Sequence, residues 1–368
     1  MSSLNKHIKV IIAGGGTGGH IFPAVAIGHA LKRLQPEASL LFVGAKGKME
    51  MEKVPKEGFE IKGLDIAGFD RSSMLKNISL PIKLIKSFLQ AYKILKQFKP
   101  DVVVGVGGYA SFPCLKIAQL LNIKTLLQEQ NSFAGKSNKI LGKKADAICV
   151  AYDAMERFFP KEKIIKTGNP VRQQILNTSI SSEQAKQFFG LNPKAKTIFV
   201  FGGSLGAKSI NEAILSHADF FNDDLQLLWQ TGSTFFNTAK QALDSDKNIK
   251  INEFIYDMDK AYAAADIIVA RAGASSIAEL CIVGKPVIFI PFPFASEDHQ
   301  THNALALVKK QAARMIENKN TNTQLFSVIK ELLLNPEAQA TMSSEIKKMA
   351  ITHADVHIAQ TILNLNQN

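Results

Sequence analysis

The sequence predicts an α/β protein built from two similar halves, each a parallel sheet covered by helices. Its 368 residues exceed what one ordinary hydrophobic core holds, which favours two domains of roughly 150 to 200 residues. Short β-branched runs alternate with segments of helical periodicity, a pattern typical of parallel α/β layers. A glycine-rich turn follows the first strand of each half, so the same organisation begins twice.

Ten short apolar runs are predicted as strands, five in each half. They are 9–13, 39–43, 101–105, 124–128, 147–151, 196–201, 225–230, 249–254, 267–270 and 286–291. Turn residues at 167–172 and a polar stretch at 177–183 separate the two sets. We therefore expect domains 1–171 and 172–348, with a cleft at the seam as the default binding site. The tail 344–365 is predicted to be helical, and 349–368 are expected to pack back on the first domain.

Composition restricts the class of protein. With 46% hydrophobic and 21% charged residues, the chain is typical of a folded globular protein. No run approaches the ~18 consecutive apolar residues of a membrane span, and no cleavage site follows the N-terminus, so neither an integral nor a secreted protein is expected. Cys114, Cys149 and Cys281 are widely separated, which favours a reducing compartment such as the cytoplasm.

Positive charge is concentrated in the first half. Residues 1–170 contain 26 Lys and Arg against 13 Asp and Glu, whereas 171–368 contain 18 against 19. A basic half attracts nucleic acid, phosphorylated substrates or anionic lipid head groups, and a solvated surface without a partner is the alternative. Lysine dominates the basic half and the chain has one tryptophan, which argues against a nucleic-acid partner.

The first strand leads directly into a glycine-rich loop, GGGTGGH at 14–20, and then into a helix. Glycines allow close backbone approach, and the N–H groups at a helix start attract an anion. The loop matches the dinucleotide pattern G-x-G-x-x-G, but the second strand ends at 43–46 without the carboxylate that binds the NAD ribose. An NADP-dependent dehydrogenase using Lys46, and a tight turn without a ligand, are the alternatives.

The second half contains two further small-residue turns. The loop GGSLGAKS at 202–209 almost matches a P-loop, but Ala207 replaces the second glycine, which weakens an NTPase interpretation. The turn at 270–280 begins a helix that carries Glu279. A carboxylate at this place accepts both hydroxyls of a ribose, and a glutamate that interacts only with the helix dipole is the alternative.

Seven motifs, in order over nearly the whole chain, resemble those of the MurG family. They are GGGTGGH (14–20), GVGGYASFP (105–113), EQN (129–131), GNPVR (168–172), FGGSLGA (201–207), FIYDM (254–258) and ARAGASSIAEL (270–280). The resemblance implies a GT-B glycosyltransferase, with two Rossmann-like domains facing across a cleft, the lipid acceptor on the first and the nucleotide sugar on the second. A related GT-B transferase with another acceptor is the nearest alternative.

The activity that the resemblance implies is inverting transfer of GlcNAc from UDP-GlcNAc to the 4-hydroxyl of MurNAc in lipid I. Lipid I is undecaprenyl-pyrophosphoryl-MurNAc-pentapeptide, and the product is lipid II for peptidoglycan synthesis. The resemblance implies no cofactor and no metal, because fixed dipoles and an arginine are able to neutralise the departing UDP.

The resemblance also assigns substrate contacts, position by position. Ser204, the amides around Gly203, and Arg172 would hold the pyrophosphate, since a guanidinium matches phosphate oxygens. The backbone of Ile255 would contact uracil, and Glu279 would bind the ribose. The remaining substrate-binding residues would be Thr17, Gly18, Gly19, Asn131, Ala274, Ser275, Ser276 and Gln300.

Inverting displacement needs one general base for the acceptor hydroxyl. His20 is the candidate, because it closes the first glycine loop and imidazole titrates near neutral pH. A helix N-cap or a hydrogen bond to phosphate is the alternative role for this histidine. Tyr109 and Glu129 are the alternative bases.

The segment 297–302 is a possible metal-binding pattern, since His299 and His302 are spaced i, i+3 beside carboxylates. A further ligand has to converge from elsewhere, and the resemblance places Gln300 beside the sugar, so no metal is expected. Phe294, Asp298 and His299 have no assigned role.

A basic amphipathic helix is predicted within 75–98. Apolar residues at 81, 84, 85, 88, 92 and 95 fit a stripe that packs on the core. The opposite surface consists of Lys83, Lys86, Lys93 and Lys96, with Ile82 and Leu89 at its margin. Such a surface suits an anionic bilayer, and a solvated lysine face is the alternative. We expect a peripheral protein on the cytoplasmic side of the bacterial inner membrane.

Overall fold

The chain divides into two compact units. A computed structural model describes residues 7–66, 80–203 and 205–367. Met1–Val171 and Thr352–Asn368 form the first unit, and Arg172–Ile351 form the second. Each unit contains one parallel sheet, so the predicted α/β class is confirmed.

Seven parallel strands are described in the first unit. They are β1 (Lys9–Ala13), β2 (Ser39–Ala45), β3 (Ile61–Leu64), β4 (Val102–Gly105), β5 (Lys124–Glu129), β6 (Ala147–Val150) and β7 (Ile164–Lys166). The helices are α1 (Gly18–Leu34), α2 (Glu50–Lys56), α3 (Leu80–Phe98), α4 (Ser111–Leu120), α5 (Lys136–Gly142) and, at the C-terminal end, α15 (Ala354–Leu365).

The sheet of the first unit has the order β3-β2-β1-β4-β5-β6-β7. The order reverses between β1 and β4, and doubly wound sheets bind ligands at the carboxyl ends of the strands at such a switch point. Ala13 at the end of β1 pairs with Gly105 at the end of β4. The glycine-rich loops that follow these two strands therefore lie side by side.

The second unit repeats this arrangement. Its described strands are β8 (Lys196–Phe201), β9 (Leu225–Gln230), β10 (Ile249–Asn252), β11 (Ile267–Ala270), β12 (Val287–Phe289) and β13 (Arg314–Met315). Its helices are α6 (Gln173–Leu176), α7 (Ser182–Phe188), α8 (Lys208–Ser216), α9 (Phe236–Leu243), α10 (Met258–Ala264), α11 (Ala274–Val283), α12 (His299–Val308), α13 (Thr321–Leu333) and α14 (Pro336–Lys348). The order β10-β9-β8-β11-β12-β13 reverses between β8 and β11, where Phe201 pairs with Ala270.

Apolar side chains on both faces of β1 explain why the sheet of the first unit is covered on both sides. Val10 and Ile12 belong to one buried cluster, whereas Ile11 and Ala13 belong to another, as the two-residue period of a strand requires. Burial of one such Ile or Val side chain contributes roughly 1.5–3 kcal/mol. Both faces are therefore closed, and the strand ends are the places where this unit is able to bind a ligand.

The C-terminal helix α15 completes the first unit. Its Ile358, Ala359 and Ile362 lie in the same buried cluster as Val10 of β1. Predicting one continuous helix over 344–365 was wrong, since α14 ends at Lys348 and α15 begins at Ala354. His353 lies between them with a φ of 60°, and this left-handed residue breaks the helix.

Three short strands were missed by the sequence prediction. They are β3, β7 and β13, with four, three and two residues. The strands β3, β7 and β13 each lie at an edge of a sheet. Most of their residues are half-buried or exposed, so these strands lack the continuous apolar run that marks a buried strand.

The predicted core stripe of helix α3 was largely wrong. Ser87, Ala91 and Leu95 form its fully buried positions. Pro81, Leu84, Ile85 and Tyr92 are exposed instead. Ala91 and Leu95 lie in one buried cluster with Cys114, Leu115 and Ala118 of the neighbouring α4, and most of the larger apolar residues of the predicted stripe lie outside it. Residues 75–79 of the predicted helix lie outside the described residues.

Candidate active site

The switch point of the first unit joins two glycine-rich loops, backbone to backbone. The N–H of Gly15 donates to the carbonyl oxygen of Gly107 at 3.3 Å. Gly108 has a φ of 83°, and a Cβ there would overlap the carbonyl oxygen of Gly15. Only glycine allows this approach. The motifs GGGTGGH and GVGGYASFP are thus parts of one site.

His20 lies in the first turn of α1, above this junction. Its Nδ1 donates to the carbonyl oxygen of Gly15 at 3.1 Å and lies 3.3 Å from Thr17 Oγ1. Because a carbonyl only accepts, Nδ1 carries the proton in the neutral ring, and the lone pair is on Nε2. A Cβ at Gly107 would lie 2.8 Å from Nε2, so this loop contacts the ring directly. The N-cap of α1 is Thr17, which removes the N-cap alternative for His20.

Four other predicted residues surround the same junction. Thr17, Gly18 and Gly19 form the N-terminal end of α1, whose first turn contains no acidic side chain. Amides at this end favour a negative or polar ligand group. Tyr109 is 47% exposed, and its ring lies 4.0 Å from where a Cβ of Gly16 would be.

Glu129 is a buried carboxylate that holds the loop after β5. It accepts hydrogen bonds from the backbone and side chain of Asn131, from the N–H of Gly135 and from Asn138 Nδ2, at 2.8–3.2 Å. Burial raises the pKa of Glu129, and these hydrogen bonds oppose that increase. Its oxygens are used to position Asn131, which leaves Glu129 poorly placed to meet an acceptor hydroxyl.

A second buried carboxylate, Glu50, was missed by the sequence analysis. It is 2% exposed and is the first residue of α2. Oε1 accepts from the N–H of Ala45 and Oε2 from the N–H of Gly16, both at 2.9 Å. Glu50 follows the end of β2 by five residues and so lies beyond the segment 43–46, where a carboxylate for a ribose was expected. The structure nevertheless brings one to the end of β2.

A buried amide network was also missed. Gln128 Nε2 donates to Asn169 Oδ1 at 2.9 Å, and Asn169 Nδ2 donates to the carbonyl oxygen of Gln130 at 2.9 Å. Gln130 Nε2 donates to the carbonyl oxygen of Val106 at 2.7 Å. The network therefore joins EQN and GNPVR to the loop after β4. Polar residues inside an apolar strand pattern were the available signal.

The glycine loop of the second unit follows β8. Ser204 lies outside the described residues, whereas Gly203 has a φ of 93° and a Cβ there would meet no described atom within 4 Å. Gln230, at the end of β9, donates from Nε2 to the carbonyl oxygen of Gly203 at 3.2 Å and accepts at Oε1 from the N–H of Ile255 at 2.9 Å. This buried glutamine, which the sequence analysis missed, joins the predicted phosphate and uracil contacts.

Arg172 and Glu279, predicted to bind different parts of the donor, contact each other. Arg172 Nε and Nη2 donate to the two carboxylate oxygens of Glu279, each at 2.7 Å. Tyr262 OH also donates to Glu279, at 3.0 Å. Although burial acts to lower it, the pKa of Arg172 is raised, because Glu279 accepts hydrogen bonds from the guanidinium and its negative charge stabilises the protonated form. Burial raises the pKa of Tyr262 well above its usual value, and the negative charge of Glu279 acts in the same direction.

The small residues 274–276 begin helix α11 beside this ion pair. Ala274 is the first helical residue, with Gly273 as the N-cap. The hydroxyl oxygen of Ser275 is buried and has no hydrogen-bond partner among the described residues. Ser276 Oγ lies 3.8 Å from where a Cβ of Gly273 would be. A buried hydroxyl without a described partner, next to the N–H groups at a helix start, is able to donate to a ligand oxygen.

Gln300 is held by the loop that precedes α12. Its Oε1 accepts from the N–H of Phe292 at 3.0 Å. Arg271, another residue missed from sequence, fixes the start of this loop, since Nη1 donates to the carbonyl oxygens of Ile290 and Pro291 at 2.9 Å. Burial lowers the pKa of Arg271 to about 10. The guanidinium therefore adds positive charge at the carboxyl edge of the second sheet.

The segment 297–302 is held by local hydrogen bonds. His299 Nδ1 donates to the carbonyl oxygen of Ser296 at 2.7 Å, and Thr301 Oγ1 donates to Asp298 at 2.7 Å. No group of three His, Cys, Asp or Glu side chains suited to a metal occurs in the described part of the chain. Phe294 is 77% exposed.

The exposed side of α3 is both apolar and basic. Ile82, Ile85 and Leu89 are 71%, 63% and 60% exposed. Lys86 forms an ion pair with Asp65 at 2.8 Å. The other predicted lysines, at 83, 93 and 96, are exposed on the same helix. None of the described helices has the length and hydropathy needed to cross a bilayer.

Two family models match the two units. Residues 10–150 match the glycosyltransferase family 28 N-terminal domain, and residues 197–358 match the glycosyltransferase family 28 C-terminal domain. These matches and the two doubly wound sheets define the class of protein as a glycosyltransferase of the GT-B fold.

Closer relatives define the family. The chain is 51% identical over 366 residues to the UDP-N-acetylglucosamine--N-acetylmuramyl-(pentapeptide) pyrophosphoryl-undecaprenol N-acetylglucosamine transferase of Phocaeicola vulgatus, covering 98% of this chain and 97% of the relative. It is 50% identical over 361 residues to the same transferase of Cytophaga hutchinsonii, with 98% and 97% covered. The crystal structure of Acinetobacter baumannii MurG superposes with a TM-score of 0.78 at 30% identity, covering 97% and 99%. The chain belongs to the MurG family.

Proposed function

We propose that this protein transfers GlcNAc from UDP-GlcNAc to the 4-hydroxyl of MurNAc in lipid I, with inversion, to form lipid II. The observation that carries the proposal is the switch point of the second unit. There an open glycine loop after β8 adjoins the turn that begins α11, the helix of Glu279. This arrangement supplies backbone donors for a pyrophosphate and a carboxylate for a ribose.

The Arg172–Glu279 pair supports donor binding rather than preventing it. A carboxylate has about four lone-pair positions, and Arg172 and Tyr262 use three of them, so one remains for a ribose hydroxyl. The pair uses Nε and Nη2 of Arg172, and Nη1 is directed elsewhere. Arg172 thus orients the Glu279 carboxylate, which binds the ribose, while its Nη1 donates to the pyrophosphate.

The leaving UDP gains negative charge as the glycosidic bond breaks. Arg172 and the amides at Gly203 and at the start of α11 are fixed before the reaction, so they stabilise that charge without reorganising. Ser275 Oγ, buried beside these amides, offers a further donor. Gln300, in the first turn of α12, contacts the sugar and is held by the N–H of Phe292 in the loop that Arg271 fixes.

His20 is the general base. Its Nε2 lone pair takes the proton of the 4-hydroxyl while that oxygen forms its bond to the anomeric carbon and the bond to the UDP oxygen breaks. The hydrogen bond from Nδ1 to Gly15 fixes the ring in this tautomer. Glu129 positions Asn131, and Tyr109 lies at the margin of the acceptor site.

Transfer of radiolabelled GlcNAc from UDP-GlcNAc to a short-chain lipid I analogue tests the proposal. A β-linked disaccharide product that depends on His20 is expected. Thermal unfolding with UDP, UDP-GlcNAc, NAD or ATP serves as the binding control, and only the uridine compounds should stabilise the fold. Stabilisation by UDP without transfer to the lipid I analogue would show a related transferase with another acceptor.

The α3 surface is where the protein associates with the cytoplasmic face of the inner membrane. Ile82, Ile85 and Leu89 provide apolar contact, and lysines 83, 93 and 96 provide attraction to anionic lipid head groups. Each lysine near an anionic surface contributes about 1 kcal/mol. Lys86 contributes less, because Asp65 already pairs with it.

Vesicle binding tests this association. Replacing lysines 83, 93 and 96 by glutamine should weaken binding to vesicles of phosphatidylglycerol and phosphatidylethanolamine while stabilisation by UDP is unchanged. The matched control replaces three exposed lysines elsewhere in the same unit, at 143, 144 and 161. Equal loss in both triple variants would show that net charge alone, and not the α3 surface, binds the bilayer.

A further inference from the structure

Glu50 and His20 are joined through a single peptide group. Glu50 Oε2 accepts from the N–H of Gly16, and His20 Nδ1 donates to the carbonyl oxygen of Gly15. That N–H and that C=O belong to the same planar, trans peptide, in which the two groups point in opposite directions. A carboxylate on one side of this peptide therefore fixes the direction of the carbonyl on the other side.

The peptide is also held too tightly to turn. A side chain at Gly15 would overlap the carboxylate of Glu50. The second oxygen of Glu50 is fixed at the end of β2 by the N–H of Ala45. Gly15 is bound on its other side by Gly107. The carbonyl oxygen of Gly15 thus has one available direction, which is toward the imidazole of His20.

The charge of Glu50 strengthens this chain of hydrogen bonds. A carboxylate that accepts from an N–H polarises the peptide, which makes its carbonyl oxygen a stronger acceptor. A stronger acceptor at Nδ1 favours the tautomer with the lone pair on Nε2, and it favours the imidazolium that forms when Nε2 takes a proton. The arrangement resembles a carboxylate–imidazole pair, with one peptide inserted between the two groups.

We propose that Glu50 is a positioning residue for the transfer reaction, acting through the Gly15–Gly16 peptide to hold His20 as a base at Nε2. The inference rests on the proposed role of His20. It adds a residue that lies outside the glycine motif and does not contact the reacting atoms. Glu50 fixes the Gly15–Gly16 peptide, and the carbonyl oxygen of Gly15 fixes the ring of His20.

Glu50→Gln is the direct test, because it keeps the shape and places an NH2 group against one of the two N–H donors. We expect kcat to fall by about 100-fold, as for a small misplacement of a reacting group, with KM for UDP-GlcNAc unchanged within about twofold. Glu50→Asp, which keeps the charge on a shorter side chain, should recover part of the loss. Glu52→Gln is the matched control, since Glu52 is on the same helix, is exposed and forms its ion pair with Lys56 on the surface.

Two further measurements separate this role from a purely structural one. In a His20→Gln background, Glu50→Gln should change kcat by less than about threefold, because both act through one base. Nitrogen-15 NMR of histidine-labelled protein should show the Nδ1–H tautomer of His20 in the native chain and less of it in Glu50→Gln. The NMR result applies whether or not the protein transfers GlcNAc to lipid I. An unchanged tautomer, or a full loss of kcat in the His20→Gln background, would overturn the proposal.

Discussion

The two units have the same strand order around their switch points, yet side chains of different charge hold their glycine loops. In the first unit, the Glu50 carboxylate accepts from Gly16. In the second, the neutral Gln230 carboxamide donates to Gly203 and accepts from Ile255. A Cβ at Gly15 would overlap Glu50, whereas one at Gly203 would enter space free of described atoms within 4 Å.

This difference explains how one fold serves two tasks. The Glu50 carboxylate already accepts from the N–H of Gly16, so this part of the first loop is suited to hold His20 in place rather than to bind a phosphate. The Gln230 carboxamide carries no charge, so it leaves the amides of the second loop available to an incoming phosphate. The dehydrogenase interpretation of the first loop loses support for the same reason, because the two oxygens of Glu50 accept from the N–H of Ala45 at the end of β2 and from the N–H of Gly16 in the loop after β1.

The largest effect is expected in the first unit, at His20. His20→Gln should lower kcat by about 10²–10⁴-fold, the range for loss of a general base, with little change in stabilisation by UDP. His29→Gln is the control, since His29 is on the same helix and pairs with the exposed Glu57. Turnover within a few-fold of the native rate would reject His20 as the base and make Tyr109 the next candidate.

In the second unit, the largest effect is expected from breaking the Arg172–Glu279 pair. Arg172→Met leaves a buried carboxylate with Tyr262 as its remaining donor from that cluster, which should cost about 3 kcal/mol of unfolding free energy. This value is at the low end for buried pairs because the Arg172 side chain is 36% exposed. Urea unfolding measures the loss, and UDP stabilisation should fall at the same time.

The double variant Arg172→Met/Glu279→Gln distinguishes the two roles of this pair. Removing both charges should restore much of the stability, because no buried charge is then left unpaired. UDP stabilisation should remain weak, because the ribose and pyrophosphate contacts are both lost. Recovery of UDP binding along with stability would show that the pair serves the fold alone.

The features that were predicted correctly from the sequence are those that depend on local periodicity or on family motifs. The α/β class and all five strands predicted in each half are confirmed, because buried parallel strands are continuous apolar runs. The edge strands β3, β7 and β13 were missed, because most of their residues are half-buried or exposed and give no continuous apolar run. The stripe on α3 failed because Ser87 and Ala91, which are small rather than strongly apolar, form the buried face.

The site residues that the sequence did not predict were missed for a different reason. Glu50, Gln230 and Arg271 act through backbone groups that are distant in sequence, and no spacing rule connects Glu50 to Gly16 or Gln230 to Ile255. Arg172 and Glu279 were each expected to contact the donor, but their mutual ion pair depends on a contact across 107 residues. Motifs identify such groups one at a time, and the tertiary fold decides which of them meet.

A smaller effect is expected from giving the second loop the charge of the first. Gln230→Glu still accepts from Ile255 but, when ionised, is unable to donate to Gly203, and it repels a pyrophosphate. UDP affinity measured by calorimetry should fall about tenfold, or ~1.4 kcal/mol. Binding should recover as the pH falls, because the protonated carboxyl donates again. Gln226→Glu, on the same strand and also buried, is the control and should leave UDP affinity unchanged.

The smallest effect is expected at Gly203 itself. Gly203→Ala meets no described atom within 4 Å but must adopt a φ of 93°, which should cost about 1 kcal/mol of unfolding free energy. Its methyl group also enters the space assigned to the pyrophosphate, so UDP stabilisation should fall more than the unliganded midpoint does. Gly206→Ala is the contrasting variant, because its Cβ would overlap the carbonyl oxygen of Thr231, and it should lose the fold. A Gly203→Ala protein that binds UDP normally would place the pyrophosphate elsewhere and remove the contrast between the two loops.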